Sequence, residues 1–397
     1  MDEIGAAEIE RVVEQLAAAV PPGGRIALAD GAGFPHEAWP AVVELSLRRP
    51  DVQVLLGWCV STPARIEELD GGRVRAVVSG FGLRRAIDAG HVGYLPVRLG
   101  TMGARLTGPL RPDVLLTTLR PAGGGLAFST EIGWQRQAIA SGASVFAVLR
   151  PGAPATDSGD PLTTAEVTVV AESRRAPDEL PPASPSDTQR EIGARIAALL
   201  PEGARLQVGP GGLGVAVFDA LTRPVVVDTG IVSDSVVDLA ERGLVDGPPL
   251  TPYVVGTERV YDWCAGRVQV RGAELTHDPG RLKSGRPFVA VNTGLEIDLS
   301  GQVNAEGVAG SAVGTIGGQP DFAAGAAASP SGLSIIALAT RTSRGVPTLV
   351  RSLQLPATTP SHDVDIVVTE RGVADLRGLT RAERSAALLA LWDGVGE

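Results

Sequence analysis

Short apolar runs recur along the whole chain, and between them lie stretches of about ten residues with helical spacing. RIALAD (25–30), VQVLLG (52–57), VRAVVSG (74–80), VLLTTL (114–119), SVFAVL (144–149) and VTVVAE (167–172) read as strands. HEAWPAVVELSL (36–47) and STEIGWQRQAIASG (129–142) read as helices. Strands that are apolar throughout, alternating with helices, need cover on both faces. The predicted class is therefore α/β, with mostly parallel sheets flanked by helices.

The pattern occurs twice. SRRAPDELPPASPSDTQRE (173–191) is rich in proline, serine and charge and reads as a surface connection. After it come a helix (EIGARIAALL), the strand RLQV, a glycine loop, a helix and the strand RPVVVD. FVAVNTGLEIDLSGQVNAEG (288–307) predicts a β-hairpin around DLSG. SIIALAT, TLVRSL and VDIVVTE follow as strands, and RAERSAALLALW (381–392) as a closing helix. A length of 397 residues exceeds what one compact core usually holds. Two α/β domains are expected, over 1–180 and 181–397.

Composition narrows the function. A net charge of −10, no Lys/Arg-rich run and 4% aromatics argue against a nucleic-acid surface. The acidic, amphipathic start (residues 3–20, closed by Pro21 and Pro22) is not a signal peptide, and no apolar run reaches a membrane span. Cys59 and Cys264 lack CxxC spacing and read as buried thiols of a cytoplasmic protein. The four histidines (36, 91, 277, 362) show no metal-ligand spacing, so no metal is expected.

Two glycine loops are candidate sites. In LQVGPGGLGVAVFDAL (206–221) a strand runs through glycines into a helix, where free N–H groups can meet an anionic ligand. The spacing is neither G-x-G-x-x-G nor a P-loop, and a tight βα turn would read the same way. GSAVGTIGGQPDFAAGA (310–326) repeats the design, with Pro320 and Asp321 suited to a first helical turn and N–H groups placed for a developing oxyanion. A structural turn is again the alternative. Isolated ionisable residues (Glu131, Asp228, Asp234, Glu258, Glu296, Asp298, Glu370, His362) complete the inventory. Of these, Glu296 is expected to face solvent or pair with an arginine, and Glu370 to end a strand within reach of a site. Ser361-His362-Asp363 are adjacent in sequence, which is not triad spacing.

In collinear order, several stretches resemble the acetyl-CoA hydrolase/transferase family of class I CoA-transferases. They are GYLPVRLGTMGARLTGPLRPDVLLTTLRPAGGGLAFS (93–129), LQVGPGGLGVAV (206–217), SDSVVDLAERGLV (233–245), VNTGLEIDLSGQVNAEG (291–307), GTIGGQPDF (314–322) and VVTERGVADLRGLTRAER (367–384). The resemblance implies two tandem CoA-transferase-like α/β domains with a site in the cleft between them, and a homodimer. CoA thioesters and small carboxylates would be substrates, with no separate cofactor. Gly209, Gly211, Gly212, Leu213, Gly314, Gly317 and Gly318 would line the CoA site, with the Gly318 amide in an oxyanion hole.

The family's nucleophile is a glutamate that forms an acyl anhydride and then a glutamyl-CoA thioester. Aligned on SD-x-VVDL, that glutamate falls at Gly230 and the family's histidine at Asp228. Three readings follow. Asp228 serves as a base for water, which favours hydrolysis over transfer. Or the chain binds acyl-CoA without turnover, as a sensor or partner subunit. Or the scaffold hosts another chemistry, of the sugar-phosphate isomerase or deaminase type.

Overall fold

A computed structural model of the chain describes residues 5–308 and 311–392. The chain divides into two compact units, Met1–Leu180 with Thr251–Leu275, and Pro181–Leu250 with Thr276–Glu397. The segment 251–275 thus packs with the first unit rather than the second. No described helix is long and apolar enough to cross a membrane.

The first unit is built on a parallel sheet. Its strands run in the order Gly93–Tyr94, Val74–Ala76, Gln53–Leu56, Arg25–Leu28, Val114–Ala122, Ser144–Leu149 and Val167–Glu172, and Gly125–Ala127 pairs antiparallel with Val114–Ala122. The helix Ala6–Ala19 buries Val12, Val13 and Leu16 and ends just before Pro21, which cannot continue it. These residues join Trp39, Val42 and Leu45 of the helix Trp39–Arg48 and the sheet residues Ile26, Val54 and Leu116 in one core.

The predicted helix over 129–142 is realised only as Gln135–Ala140. Tertiary contacts claim the rest. The Ile132 N–H donates to the Pro252 carbonyl at 2.9 Å, and the Trp134 N–H to the Gln135 side chain at 2.8 Å. The fully buried Glu131 is held by the hydroxyls of Thr118 and Thr130. Cys59 and Cys264 are buried free thiols of this unit.

The second unit carries a six-stranded sheet in the order Val226–Val227, Arg205–Val208, Phe288–Thr293, Leu333–Ala337, Ile366–Thr369 and Gly372–Asp375, parallel except at the last pair. Its first helix, Asp187–Leu199, starts at a capping box in which Ser186 and Gln189 satisfy each other's backbone N–H. The hairpin predicted around DLSG forms between Glu296–Asp298 and Val303–Asn304, whereas Phe288–Thr293 joins the parallel sheet. Glu296 does not face solvent. It is buried, and accepts hydrogen bonds from Asn304 Nδ2 (2.9 Å) and the Gln354 N–H (2.7 Å). The closing helix, Arg381–Trp392, buries Leu388, Leu391 and Trp392.

Candidate functional site in the second unit

In this sheet the chain leaves Arg205–Val208 toward Val226–Val227 on one side, while Phe288–Thr293 leads to Leu333–Ala337 on the other. The order therefore reverses between Arg205–Val208 and Phe288–Thr293. Ligands of open parallel sheets bind beyond the carboxyl ends of the strands at such a point. The loop leaving Arg205–Val208 is Gly209-Pro210-Gly211, and it enters the helix Gly212–Ala220 with Leu213 buried. Gly211 has φ +119°, a conformation closed to other residues. Gly214 lets the helix sit on the loop, since a Cβ there would come 2.3 Å from the Gly209 carbonyl oxygen.

The neighbouring strand reaches the same edge. Thr229 is buried, and its hydroxyl donates to the Val208 carbonyl at 2.9 Å, so the segment leading to Gly230 is fastened beside the glycine loop. Gly230 is half-buried and does not have a positive φ. A Cβ built on it meets Phe322 Cε2 at 3.5 Å, an ordinary contact. Neither backbone nor space requires glycine here.

Asp228 is not free to act as a base. Its buried carboxylate takes both Arg281 terminal nitrogens, at 2.7 and 3.0 Å, and Arg205 Nη1 at 3.3 Å. Arg205 also donates to the carbonyls of Leu282 (2.6 Å) and Ser284 (3.0 Å), and Arg281 to that of Thr276 (2.8 Å). Fork geometry of this kind, with a third donor beside it, occupies most of the carboxylate's acceptor sites. Asp228 is a positioning residue that fastens the segment 276–284 to the strand edge. Asp228→Asn is expected to lower the unfolding free energy by about 3 kcal/mol, the usual cost of breaking a buried pair, as read by denaturant titration. Unchanged stability with lost activity would return the base role to Asp228.

The segment so fastened carries His277, which composition and spacing had passed over. A lone histidine shows no motif, and only folding brings it to the head of the helix Gln319–Ala327. Its Nδ1 lies 2.9 Å from the Thr276 hydroxyl, and its ring packs on Phe322 with centroids 4.4 Å apart. The residue is 1% exposed, and Nε2 has no hydrogen-bond partner among the described residues. Burial, and then the positive charge of Arg281, push its pKa down to about 3, so the imidazole stays neutral.

Gly318 caps this helix. A Cβ there would lie 2.2 Å from His277 Nε2 and 3.0 Å from Phe322 Cε2. Glycine is obligatory because the imidazole edge occupies that space. Gly317, at φ +52°, precedes it, and Gly314 lies against the Ala305 carbonyl with no room for a side chain. The fold thus brings Gly230, Gly318 and His277 together around one edge of Phe322. Glu370 lies elsewhere, accepting from the Thr340 N–H (3.0 Å) and hydroxyl (2.5 Å), and His362 is exposed on a short helical turn.

Residues 256–393 match the acetyl-CoA hydrolase/transferase C-terminal domain. The 4-hydroxybutyrate coenzyme A transferase of Clostridium kluyveri is 26% identical over 335 residues, covering 80% of this chain and 78% of that protein. The chain thus carries the C-terminal domain of the acetyl-CoA hydrolase/transferase family. In fold it is similar to RipA from Yersinia pestis, with a TM-score of 0.82 at 23% identity over 98% of this chain and 97% of that one. It is also similar to a 4-hydroxybutyrate CoA-transferase from Porphyromonas gingivalis, with a TM-score of 0.74 at 22% identity over 98% and 96% of the two chains. This chain has glycine at residue 230 and an ion-paired aspartate two residues before it.

Proposed function

We propose that the chain acts on CoA thioesters of small carboxylic acids, as an acyl-CoA:carboxylate CoA-transferase or acyl-CoA hydrolase without a covalent glutamyl intermediate. The observation that carries this reading is the meeting of Gly230 with the Gly318 loop around Phe322. By the resemblance, the first position belongs to the nucleophile and the second to the oxyanion hole. The arrangement supports the hole and lacks the nucleophile. The helix start at Gln319 directs partial positive charge toward that place, offset in part by the buried Asp321 of its first turn. The loop Gly209–Leu213, at the reversal of strand order, is suited to the CoA moiety. A homodimer in the cytoplasm completes the proposal, in keeping with the acidic chain and its two buried free thiols.

A second reading, acyl-CoA binding without turnover, is favoured by the ion pairing of Asp228, which removes the nearest carboxylate from catalysis. Calorimetry with acetyl-CoA tests both readings: saturable binding is expected, and its absence would overturn both. Incubation with acetyl-CoA followed by hydroxylamine or borohydride and intact-mass measurement then separates the mechanisms. Free CoA released without a protein adduct is the expected result for a non-covalent hydrolase. A CoA-sized adduct would overturn a non-covalent mechanism, and binding with neither release of CoA nor its transfer to added propionate would leave the sensor reading.

A further inference from the structure

We infer that the head of the helix Gln319–Ala327, beside Gly230 and His277, binds a free small carboxylate, the acceptor acid itself; this rests on the CoA-thioester reading above. Three features meet there. Gly230 contributes no side chain, and its Cβ direction leads to Phe322 Cε2 at ordinary contact distance, 3.5 Å. Gly318 sits at the start of a nine-residue helix, and no described backbone carbonyl accepts its N–H. His277 Nε2, buried and without a described partner, lies on the same side, closest of all atoms to the Gly318 Cβ direction.

The chemistry of this place selects the ligand. The Thr276 hydroxyl, 2.9 Å from Nδ1, can donate to it, and in that tautomer the neutral imidazole carries its proton on Nε2 and is a donor. A buried donor left unpaired is unfavourable, so an acceptor is expected opposite it. The helix N-terminus favours a negative one. A compact anion with two acceptor oxygens, backed by an aromatic ring, fits: a short-chain carboxylate.

Such a site makes a protein carboxylate unnecessary. A carboxylate oxygen of the bound acid attacks the thioester carbonyl, the C–S bond breaks, and CoA leaves as thiolate from a mixed anhydride. The thiolate then attacks the acceptor's carbonyl carbon and the C–O bond to the bridging oxygen breaks. The donor acid departs as a carboxylate carrying one oxygen from the acceptor. No proton, oxidant or reductant is consumed.

Propionate is the probe, titrated into the full chain saturated with CoA and followed by calorimetry. Binding is expected, weakened at least tenfold in His277→Leu and largely kept in His277→Gln, whose amide still offers an N–H at that reach. Gly230→Leu should block it independently, with thermal unfolding confirming that each variant is folded. With acetyl-CoA and doubly 18O-labelled propionate, the released acetate should carry one 18O and the protein none. CoA binding without propionate binding, equal propionate affinity in His277→Leu and Gly230→Leu, or 18O retained on the protein would overturn the inference and leave CoA binding standing. Failure to bind CoA would overturn both.

Discussion

Gly230→Glu is expected to produce a folded protein that forms a covalent CoA adduct with acetyl-CoA and raises transferase turnover by roughly 10²-fold or more. The size follows from the effective concentration of a tethered over a free carboxylate. The backbone at residue 230 is not in a left-handed conformation, and a Cβ there touches only the Phe322 ring edge at 3.5 Å. The substitution should therefore change stability by no more than about 1 kcal/mol, and loss of glycine freedom in the unfolded chain offsets part of any cost. From there the carboxylate extends past Phe322 toward Gly318, whose amide the resemblance assigns to the oxyanion hole. Attack on the acyl-CoA gives an anhydride, and the returning thiolate gives a glutamyl thioester. Intact mass with and without borohydride reads the adduct, and a coupled assay with acetate or propionate as acceptor reads turnover. A folded variant that binds CoA yet shows neither would mean that residue 230 does not face the reacting carbonyl. Propionate should compete less well in this variant, because the new side chain fills the place assigned to the free acid.

A second large effect is expected from pH, in the first unit. Asp30 and Glu131 are both buried, and loss of hydration pushes each carboxyl up to about 7. Tyr253 donates to Asp30 Oδ2 at 2.8 Å and the Thr118 hydroxyl to Glu131 Oε1 at 3.1 Å, which offsets only part of that cost. In the unfolded chain both titrate near their ordinary values. Between about pH 4 and pH 7 the folded state therefore holds more protons than the unfolded state. Stability from this pair is fully present below about pH 4 and is lost as pH rises through about 7, by an amount on the order of a few kcal/mol. Denaturant titrations at pH 5 and pH 8 read the difference. The double variant Asp30→Asn, Glu131→Gln should flatten it, since neither amide gains charge. Parallel pH dependence in the variant and the parent would show that these two groups are not its source.

The parts of the fold that were legible in advance are those carried by local pattern. Ser144–Leu149, Val167–Glu172 and Arg381–Trp392 begin and end where their apolar spacing does. The glycine loop after Val208 enters a helix as its composition requires. What misled was polarity inside the structure. Glu131 lies in a stretch with helical spacing, yet long-range hydrogen bonds hold it outside the helix. Glu296 sits on an alternating strand, yet Asn304 and Gln354 satisfy it in the interior. A burial pattern inferred from residue type assigns carboxylates to the surface unless a partner is known, and partners 58 residues away do not appear in a local window.

The sequence by itself determined that this is a two-part α/β chain resembling the acetyl-CoA hydrolase/transferase family, and that glycine stands at residue 230. Those properties reside in residue order and short-range spacing. Only the tertiary structure decided what surrounds that glycine. Asp228, the nearest carboxylate in sequence, is held by Arg205 and Arg281, while His277, 47 positions away, faces the Gly318 helix head. Reactivity depends on which polar groups remain unpaired after folding, and pairing is a property of three-dimensional neighbours.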